Sequence, residues 1–587
     1  MRILGLNAFH ADAAACLLVD GRLVAAVAEE RLGGRTRHAA GFPGQAIARV
    51  LAMGGIAAGD LDGVAIGYDP SANRMAKLRL LCQRPLGALH RIRRHLGKRS
   101  AGRSLPELIA TACGQNLAPG CAIWHVEHHL AHVASAFFTS DADEAAAFSV
   151  DGAGDTVSAL YARCRGTRIE AFRRIHLPHS IGFFYTAVCQ YMGFDRFGEE
   201  YKVMGLGAYG EPVHLPLMRE MLRGDGQGGF RLARSFFRDP PGGEFFAIDP
   251  ASGELTIPLL YGDALVERLG APRLRTAELG QREKDLARSC QEHFEEVVLG
   301  CLRWLHRQSP GRDLVMAGGC ALNGVANARI LRDGPFARLH LHGASADDGT
   351  AVGAALYAHH HILGLPRTTA RPACYLGPAY GQDAIDEALR AQHLPHRHLD
   401  EAELLGATAR LLADGRVVGW YQGASEWGPR ALGNRSILAH PGWPGMKDLI
   451  NRKIKRRESF RPFAPSILAE AVPTYFEQAV ESPYMMHVVR IRPERRSELA
   501  AVCHEDGTGR LHTVTPEQNP LYHRLIRAFS GLTGTPVVLN TSFNENEPIV
   551  DTPAQAIACF LRTDIDALAI GSCLLRKEDV LPPCASS

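Results

Sequence analysis

An α/β fold in at least two domains is what this sequence predicts, and three observations carry that expectation. Its 587 residues exceed what a single hydrophobic core organises. Short apolar runs of strand character alternate with segments of helical periodicity. A strand–turn–strand pattern that opens near Ile3 returns near Ala145 with a second polar turn, a weak structural repeat without sequence repetition.

Composition narrows the class. A hydrophobic fraction of 46% and a charged fraction of 22% are those of an ordinary globular protein. With 65 Lys and Arg against 62 Asp and Glu the net charge is +3, which argues against a general polyanion binder. Two local basic runs, 91–103 and 452–461, matter more than the total. The fourteen cysteines form no Cys-x-x-Cys pair, as expected of reduced thiols in a cytoplasmic protein. His10 and Asp12 interrupt any signal-peptide core, and no apolar run reaches the ~20 residues of a membrane span.

Ile3 to Phe9, Ala13 to Val19 and Leu23 to Ala28 read as strands, the last two joined by an Asp20-Gly21 hairpin turn. A helix starts near Pro43, where a missing N–H costs nothing, and Val64 to Gly67 is a further strand. Residues 70–105 are basic, lack alternation and read as an insertion. Ala122 to Val126 is a short strand, and Glu127 to Phe138 a helix with His128, His132 and Ser135 on one face. Strands at Ala145 to Val150, Thr156 to Cys164 and Arg168 to Phe172 enclose the turn Asp151-Gly-Ala-Gly-Asp155. Residues 211–275 are loop-rich, a lid or acceptor-binding region. A long helix from Leu279 to Gln308 precedes the strand Asp313 to Ala317, which runs into Gly318-Gly319; the turn Ala346 to Thr350 precedes a helix from Ala351 to His361. Prolines mark Leu363 to Gly381 as a linker, and 382–587 form a second α/β unit with strands at Val417 to Tyr421, Val537 to Leu539 and Ala567 to Ile570.

His128 and His132 stand one helical turn apart, about 5–6 Å between Cβ atoms, within reach of one metal ion. An isolated pair of this kind is more often hydrogen-bonded core than ligand, but here a strand ends nearby on Asp151. A zinc protease would need Glu beside the first histidine, and His129 stands there. His125 and His129 repeat the spacing; 128 and 132 are preferred because His125 falls at a strand end. The turns at Asp151 and at Asp347-Asp348-Gly349-Thr350, with Gly318-Gly319 and Asn323, follow the order in which actin-like ATPase domains surround a nucleotide, and no Walker A sequence is present. In the second unit, Gly428-Pro-Arg-Ala-Leu-Gly-Asn-Arg435 and Ile454-Lys-Arg-Arg-Glu-Ser-Phe-Arg-Pro-Phe-Ala-Pro465 set cations among rigid turns and aromatics. That favours a small phosphorylated ligand over a long polyanion. Leu539-Asn-Thr-Ser-Phe-Asn544 and Arg510 would complete the pocket.

These motifs, together with Gly5-Leu-Asn-Ala-Phe-His10-Ala-Asp12, Glu200-Tyr-Lys-Val-Met-Gly-Leu and Ala317-Gly-Gly-Cys-Ala-Leu-Asn323, resemble the NodU/CmcH-type O-carbamoyltransferases over essentially the full length. The resemblance implies an actin-like (ASKHA) domain over 1–365 and a YrdC-like domain over 382–587. It implies that Arg430, Arg435, Lys455, Arg461 and Arg510, with Asn540, Thr541 and Asn544, bind carbamoyl phosphate and ATP, Lys455 and Arg461 acting catalytically. Carbamate would be trapped as carbamoyl-adenylate, with Mg accompanying ATP, and pass to the first domain. There Asp12, Gly152, Gly318, Gly319 and Asn323 would contact the nucleotide. His128, His132, Asp151 and Asp347 would hold iron or a similar divalent ion, Zn and Mn remaining open and Asp348 standing as the alternative to Asp347. His10 would accept the proton of the acceptor hydroxyl. The expected partner is a small hydroxylated natural product, with no nucleic acid and no membrane, bound by a monomer or homodimer. The rival readings are an actin-like small-molecule kinase and a nucleotide-binding component of tRNA modification.

Overall fold

A computed structural model of the chain describes residues 1–33, 37–83, 103–239, 246–248, 255–367, 374–458 and 460–580. It is a mixed α/β protein that divides into two compact units, Met1–Glu30 with His38–Pro372, and Arg31–Arg37 with Ala373–Ser587. The assignment of 31–37 to the second unit is not visible in the sequence. Within that unit Arg31 donates to Gly428 O and Arg37 to Glu547 O.

The first unit holds two five-stranded sheets of one topology. The first contains β1 (Arg2–Asn7), β2 (Ala14–Val19), β3 (Arg22–Ala28), β4 (Gly63–Ile66) and β5 (Ala122–His125); the second contains β6 (Glu144–Gly154), β7 (Val157–Arg165), β8 (Arg168–His176), β9 (Asp313–Ala317) and β10 (Arg338–Leu341). Their orders are β3-β2-β1-β4-β5 and β8-β7-β6-β9-β10. In each, two antiparallel hairpin partners flank one side of the first strand and two parallel strands the other. The repeated strand–turn–strand pattern in the sequence is therefore the visible part of a complete duplication.

Helices fill the equivalent places. α1 (Gly44–Gly54) follows β3, and the 28-residue α3 (Gln281–Gln308) lies between β8 and β9. α2 (His128–Phe138) follows β5, and α4 (Gly349–Leu356) follows β10. α2 packs on β6 and β9, whereas α4 packs on β1, β2 and β4, so each half supplies the helix that covers the other half's sheet. α4 is shorter than the helical pattern through His361, because from Tyr357 to Ile362 the chain turns as a π-helix. Arg74–Gln83 and Leu105–Cys113 are helical within the basic insertion; 84–102, which hold most of the first basic run, lie outside the described residues. Among its described residues, the loop-rich 211–275 carries the short α-helices Leu215–Met221 and Asp263–Leu269 and two-stranded ribbons.

α2 and α4 meet at backbone distance. A Cβ on Gly353 would stand 1.8 Å from Ala131 O, and one on Gly5 2.2 Å from Ala351 O. Only glycine permits this approach.

The second unit is built on nine strands: β11 (Arg397–His398), β12 (Val418–Tyr421), β13 (Arg435–Ala439), β14 (Ala464–Leu468), β15 (His487–Arg490), β16 (Thr508–Val514), β17 (Val537–Ser542), β18 (Ala567–Ile570) and β19 (Cys573–Arg576). Their order is β11-β19-β18-β12-β13-β17-β14-β16-β15, and α5 (Gln382–Ala391) is its first helix. Trp420, Leu438, Val538 and Ala569 from four strands share a core with Leu525 and Phe529. Twelve cysteines, from Cys16 to Cys573 with Cys82 left aside, are free, and no helix among the described residues is long and apolar enough to cross a membrane.

Two stability outcomes follow from these contacts. Gly353→Ala should cost at least about 2–3 kcal/mol, because backbone cannot yield as a side chain does, and denaturant unfolding measures it. Glu199, paired with Lys202 and Arg275 at 2.6 and 2.8 Å, behaves oppositely to its burial: burial raises its carboxyl, yet the two cations bring it from 4.5 down to about 2. A depressed carboxylate stabilises the fold above its unfolded value, so this contribution should vanish as pH falls from about 4.5 to about 2. With the half-exposed Arg275 screened by solvent, the loss should be on the order of 1–2 kcal/mol and absent in Glu199→Gln, read from melting temperatures across that range.

Candidate functional site

Five loops of the first unit leave the carboxyl ends of parallel or central strands, the place where open α/β sheets gather ligands. His10 follows β1, His128 opens α2 after β5, Asp151 lies toward the end of β6, Gly318-Gly319 follow β9, and Asp347 precedes α4 after β10. The duplicated topology thus delivers side chains from both sheets to one spot.

His128, His132, Asp151 and Asp347 each offer a ligand atom within 4.8 Å of the others. His132 Nε2 is 3.0 Å from His128 Nε2, 3.1 Å from Asp151 Oδ2 and 3.5 Å from Asp347 Oδ1; His128 Nε2 is 3.4 Å from Asp347 Oδ1. A single imidazole N–H cannot serve three acceptors at once, whereas a cation in their midst serves all four groups. Two imidazole nitrogens and two carboxylates suit a first-row divalent ion. Both histidines are almost fully buried. Burial draws the His132 imidazole down, but the carboxylates of Asp151 and Asp347 outweigh it and lift it to about 9. Burial likewise works to raise the Asp347 carboxyl, yet the facing imidazoles of His10 and His128 hold it well below the usual carboxylate range.

The alternatives left open by the spacing separate here. His129 is saturated by Ser149 Oγ at 2.8 Å and Val157 O at 3.0 Å, and exposed His125 turns Nδ1 to Tyr68 O. Asp348 bonds the Gly349 amide at the start of α4, and burial, reinforced by Asp12, pushes its carboxyl well above the usual range. It lies outside the cluster that contains Asp347.

The glycine turns differ from their expected use. β6 continues through Gly154, past a register shift after Val150, and the turn falls on Asp155 and Thr156, both at positive φ. A Cβ on Gly154 would stand 2.0 Å from the His128 ring, so this glycine admits the imidazole. Asp155 Oδ2 accepts from the amides of Asp69 and His128, both at 3.0 Å, and caps α2. The amides expected to face phosphate are likewise occupied: Gly152 donates to Asp151 Oδ1 and Gly319 to Asp151 Oδ2, while Gly318 donates to Ser345 O. A buried carboxylate needs donors, and the nearest amides supply them. Asn323 caps the helix Gly324–Asp333 and exchanges two hydrogen bonds with Gln291. Asp12 bonds His38 Nδ1 at 2.7 Å beside Glu30, and His10 Nδ1 lies 2.5 Å from Asp347 Oδ2.

In the second unit the candidate residues of the expected anion pocket include Arg435 on β13, Asn540 and Thr541 on β17 and Arg510 on β16. Lys455, almost fully buried, directs Nζ to Ser542 O, Asn544 O and Asn544 Oδ1 at 2.5–2.7 Å. Burial holds its ammonium well below the usual lysine range, with Arg457 adding to the depression. Asn540 donates to Ala431 O and Ser466 Oγ, leaving Oδ1 buried without a partner, and neighbouring Thr541 pairs with Ile437 across the sheet. Arg461 contacts Glu458 at 2.6 Å. The Arg510 guanidinium is depressed by burial first and by the charge of Arg430 second. Arg435, the last arginine of its motif, is engaged by the protein itself. Its buried guanidinium stacks 3.8 Å over Tyr421 and donates to the carbonyls of Gln422, Asn434, Pro378 and Gly423, because a guanidinium placed under a ring turns its fork toward backbone acceptors. Glu426, absent from the sequence-based candidates, accepts from the amides of Leu432, Asn434 and Arg435 through one oxygen at 2.8–3.0 Å and shapes the Arg430 loop. A lone acid beside Trp427 and Gly428-Pro429 was its one sequence signal.

Residues 2–356 match the model for the carbamoyltransferase N-terminus and 409–577 that for the carbamoyltransferase C-terminus. The chain belongs to the carbamoyltransferase family and is a carbamoyltransferase related to nodulation protein U and the cephem O-carbamoyltransferases. An uncharacterized protein of Synechocystis is 38% identical over 98% of this chain and 96% of its own length. The 3'-hydroxymethylcephem-O-carbamoyltransferase of Amycolatopsis lactamdurans is 39% identical over 40% of this chain and 43% of its own length. The crystal structure of T. kodakarensis HypF covers 62% of this chain and 48% of its own, at 13% identity and a TM-score of 0.29.

Replacing His128 or His132 by Ala should abolish stoichiometric retention of Fe(II) or Mn(II) in the first unit, measured by elemental analysis after desalting. Gly154→Ala, which touches no ligand atom but displaces the His128 ring, should weaken retention at least tenfold; unchanged affinity would show that the ring position is not set by this packing.

Proposed function

We propose that this chain is an ATP- and metal-dependent O-carbamoyltransferase that moves a carbamoyl group from carbamoyl phosphate to a hydroxyl of a small natural product. The observation that supports it best is the convergence of His10, His128, His132, Asp151 and Asp347 at strand ends from both sheets. The duplicated β3-β2-β1-β4-β5 order supports an actin-like first unit, and the family resemblance a YrdC-like second one. A divalent ion held by His128, His132, Asp151 and Asp347, iron in this reading, would supply Lewis-acid polarisation of a carbonyl oxygen.

The chain's own residues do the rest. In the second unit Arg430, Arg461, Arg510 and Lys455 hold the phosphates, and an anion between Arg430 and Arg510 relieves their mutual repulsion. Water cleaves carbamoyl phosphate to carbamate and phosphate; a carbamate oxygen then attacks the α-phosphorus of Mg-bound ATP and pyrophosphate leaves. In the first unit the acceptor hydroxyl attacks the carbamoyl carbon and AMP departs. With Nδ1–H donated to Asp347, His10 keeps its Nε2 lone pair for the hydroxyl proton. Residues 70–105 and 211–275 are the proposed source of acceptor contacts. The amide of an unpaired glycine is not needed for this scheme; the glycines and Asn323 build the scaffold that holds Asp151 and the neighbouring helix.

Pyrophosphate release from ATP should require carbamoyl phosphate, and release at the same rate without it would overturn the adenylate step. Lys455→Ala and Arg461→Ala should abolish that release. His10→Asn should leave it within about threefold while lowering transfer to the hydroxyl by 10²-fold or more; equal loss of both steps in all three variants would remove the division of labour.

A further inference from the structure

A second group of ligating side chains lies in the second unit, at the edge of its nine-stranded sheet. Asp386 comes from α5, His398 from the two-residue edge strand β11, His396 from just before it, and Cys573 from β19. One donor atom from each lies within 4.8 Å of the other three, and among the described residues this is the one such group that contains sulfur. Cys573 Sγ is 3.7 Å from His398 Nδ1 and 3.9 Å from Asp386 Oδ1, and His398 Nε2 is 3.5 Å from Asp386 Oδ2. Donors on a tetrahedral zinc ion stand roughly 3.3–3.8 Å apart, given Zn–S of about 2.3 Å and Zn–N of about 2.0 Å. With His398 offering Nε2, its 3.5 Å separation from Asp386 Oδ2 falls in that range and is long for a direct hydrogen bond, while Cys573 Sγ, 3.9 Å from Asp386 Oδ1, stands just beyond it.

The surroundings are those of a built site. Gln382 Oε1 accepts from the Ser572 amide at 2.9 Å, which fixes the orientation of its side-chain amide. Its Nε2 therefore points inward, 2.7 Å from Asp386 Oδ1 and 3.4 Å from Cys573 Sγ. Ser572 Oγ stands 2.9 Å from His398 Nδ1, and His396 Nδ1 is engaged by Leu394 O at 3.0 Å. Carboxylate, thiol and both imidazoles thus each have an outer partner that orients them, as ligands of a metal ion do. The close approach is secured by Gly571, at φ +54, where a Cβ would stand 2.5 Å from Gln382 Oε1.

We propose that Asp386, His396, His398 and Cys573 form a structural zinc site that fastens α5 and the edge strand β11 to β19. A sulfur, two nitrogens and a carboxylate oxygen complete a tetrahedron with no open position, which assigns zinc a structural role. Binding converts the Cys573 thiol to thiolate and releases its proton to solvent; no redox change is involved. The clamp has a mechanical reason. β11 offers two residues to the ladder and pairs on one side only, through Arg397 with Leu574 and His398 with Cys573. Two residues of ladder are a weak tether for a sheet edge.

Full-length protein loaded with Zn(II), or with Co(II) as a spectroscopic probe, and then desalted, tests this. Wild type should retain about one additional ion per chain and show a thiolate-to-cobalt charge-transfer band in the near ultraviolet. The band should persist in His128→Ala and His132→Ala, which empty the other centre, and disappear in Cys573→Ser and His398→Ala. His398 is half-exposed, so its variant keeps the fold even if the loss of buried Cys573 does not. Absence of the band in cobalt-loaded wild type, or its survival in folded His398→Ala together with unchanged zinc content, would overturn the assignment.

Discussion

The close crossing of α2 and α4 is the constraint from which the first unit's geometry follows. Gly353 lets one helix rest against the carbonyl of Ala131 on the other, and Gly5 lets β1 rest against Ala351. His128 and His132 ride on α2, while Asp347 stands two residues before α4. Bring the helices together at backbone distance and the imidazoles meet the carboxylate; hold them apart by a methyl group and the donor set no longer closes. Local anchoring refines the result. Asp155 fixes the end of α2 and Gly154 leaves room for the His128 ring against β6, while the amides of Gly152 and Gly319 hold both oxygens of Asp151.

The second unit solves a different problem with similar means. Burial and like charge depress Lys455 beside Arg457 and Arg510 beside Arg430, and the neighbouring loops are held by the protein's own polar groups. Glu426 gathers three amides with one oxygen, and Arg435 binds four carbonyls beneath Tyr421. One arginine of the motif is thus tied into the frame, and a glutamate outside the pattern is what shapes the Arg430 loop.

What the sequence made legible is what depends on period and spacing. The strands Asp313–Ala317 and Ala567–Ile570 stand out as apolar runs, the helical face places His128 and His132 together, and the repeated strand–turn–strand unit announces the duplication. What it hid depends on what packs at a distance. Gly154 reads as a turn glycine because the ring that needs the space is 26 residues earlier in the chain. The contacts of Arg435 with Tyr421 and four carbonyls have no local signature. Residues 31–37 read as part of the first unit because nothing in their composition tells which core they join.

The exchange of helices between the two sheets also sets an order of events during synthesis. The strands of the first sheet's hairpins are complete by Ala28, yet the helix that seals their inner face begins at Gly349. At typical elongation rates roughly half a minute separates the two. Throughout that interval a nascent sheet with apolar side chains on both faces waits for its cover. Such a chain would place an unusual demand on whatever guards emerging polypeptides from association, a burden that arises from topology alone and that no change at the active site would lighten.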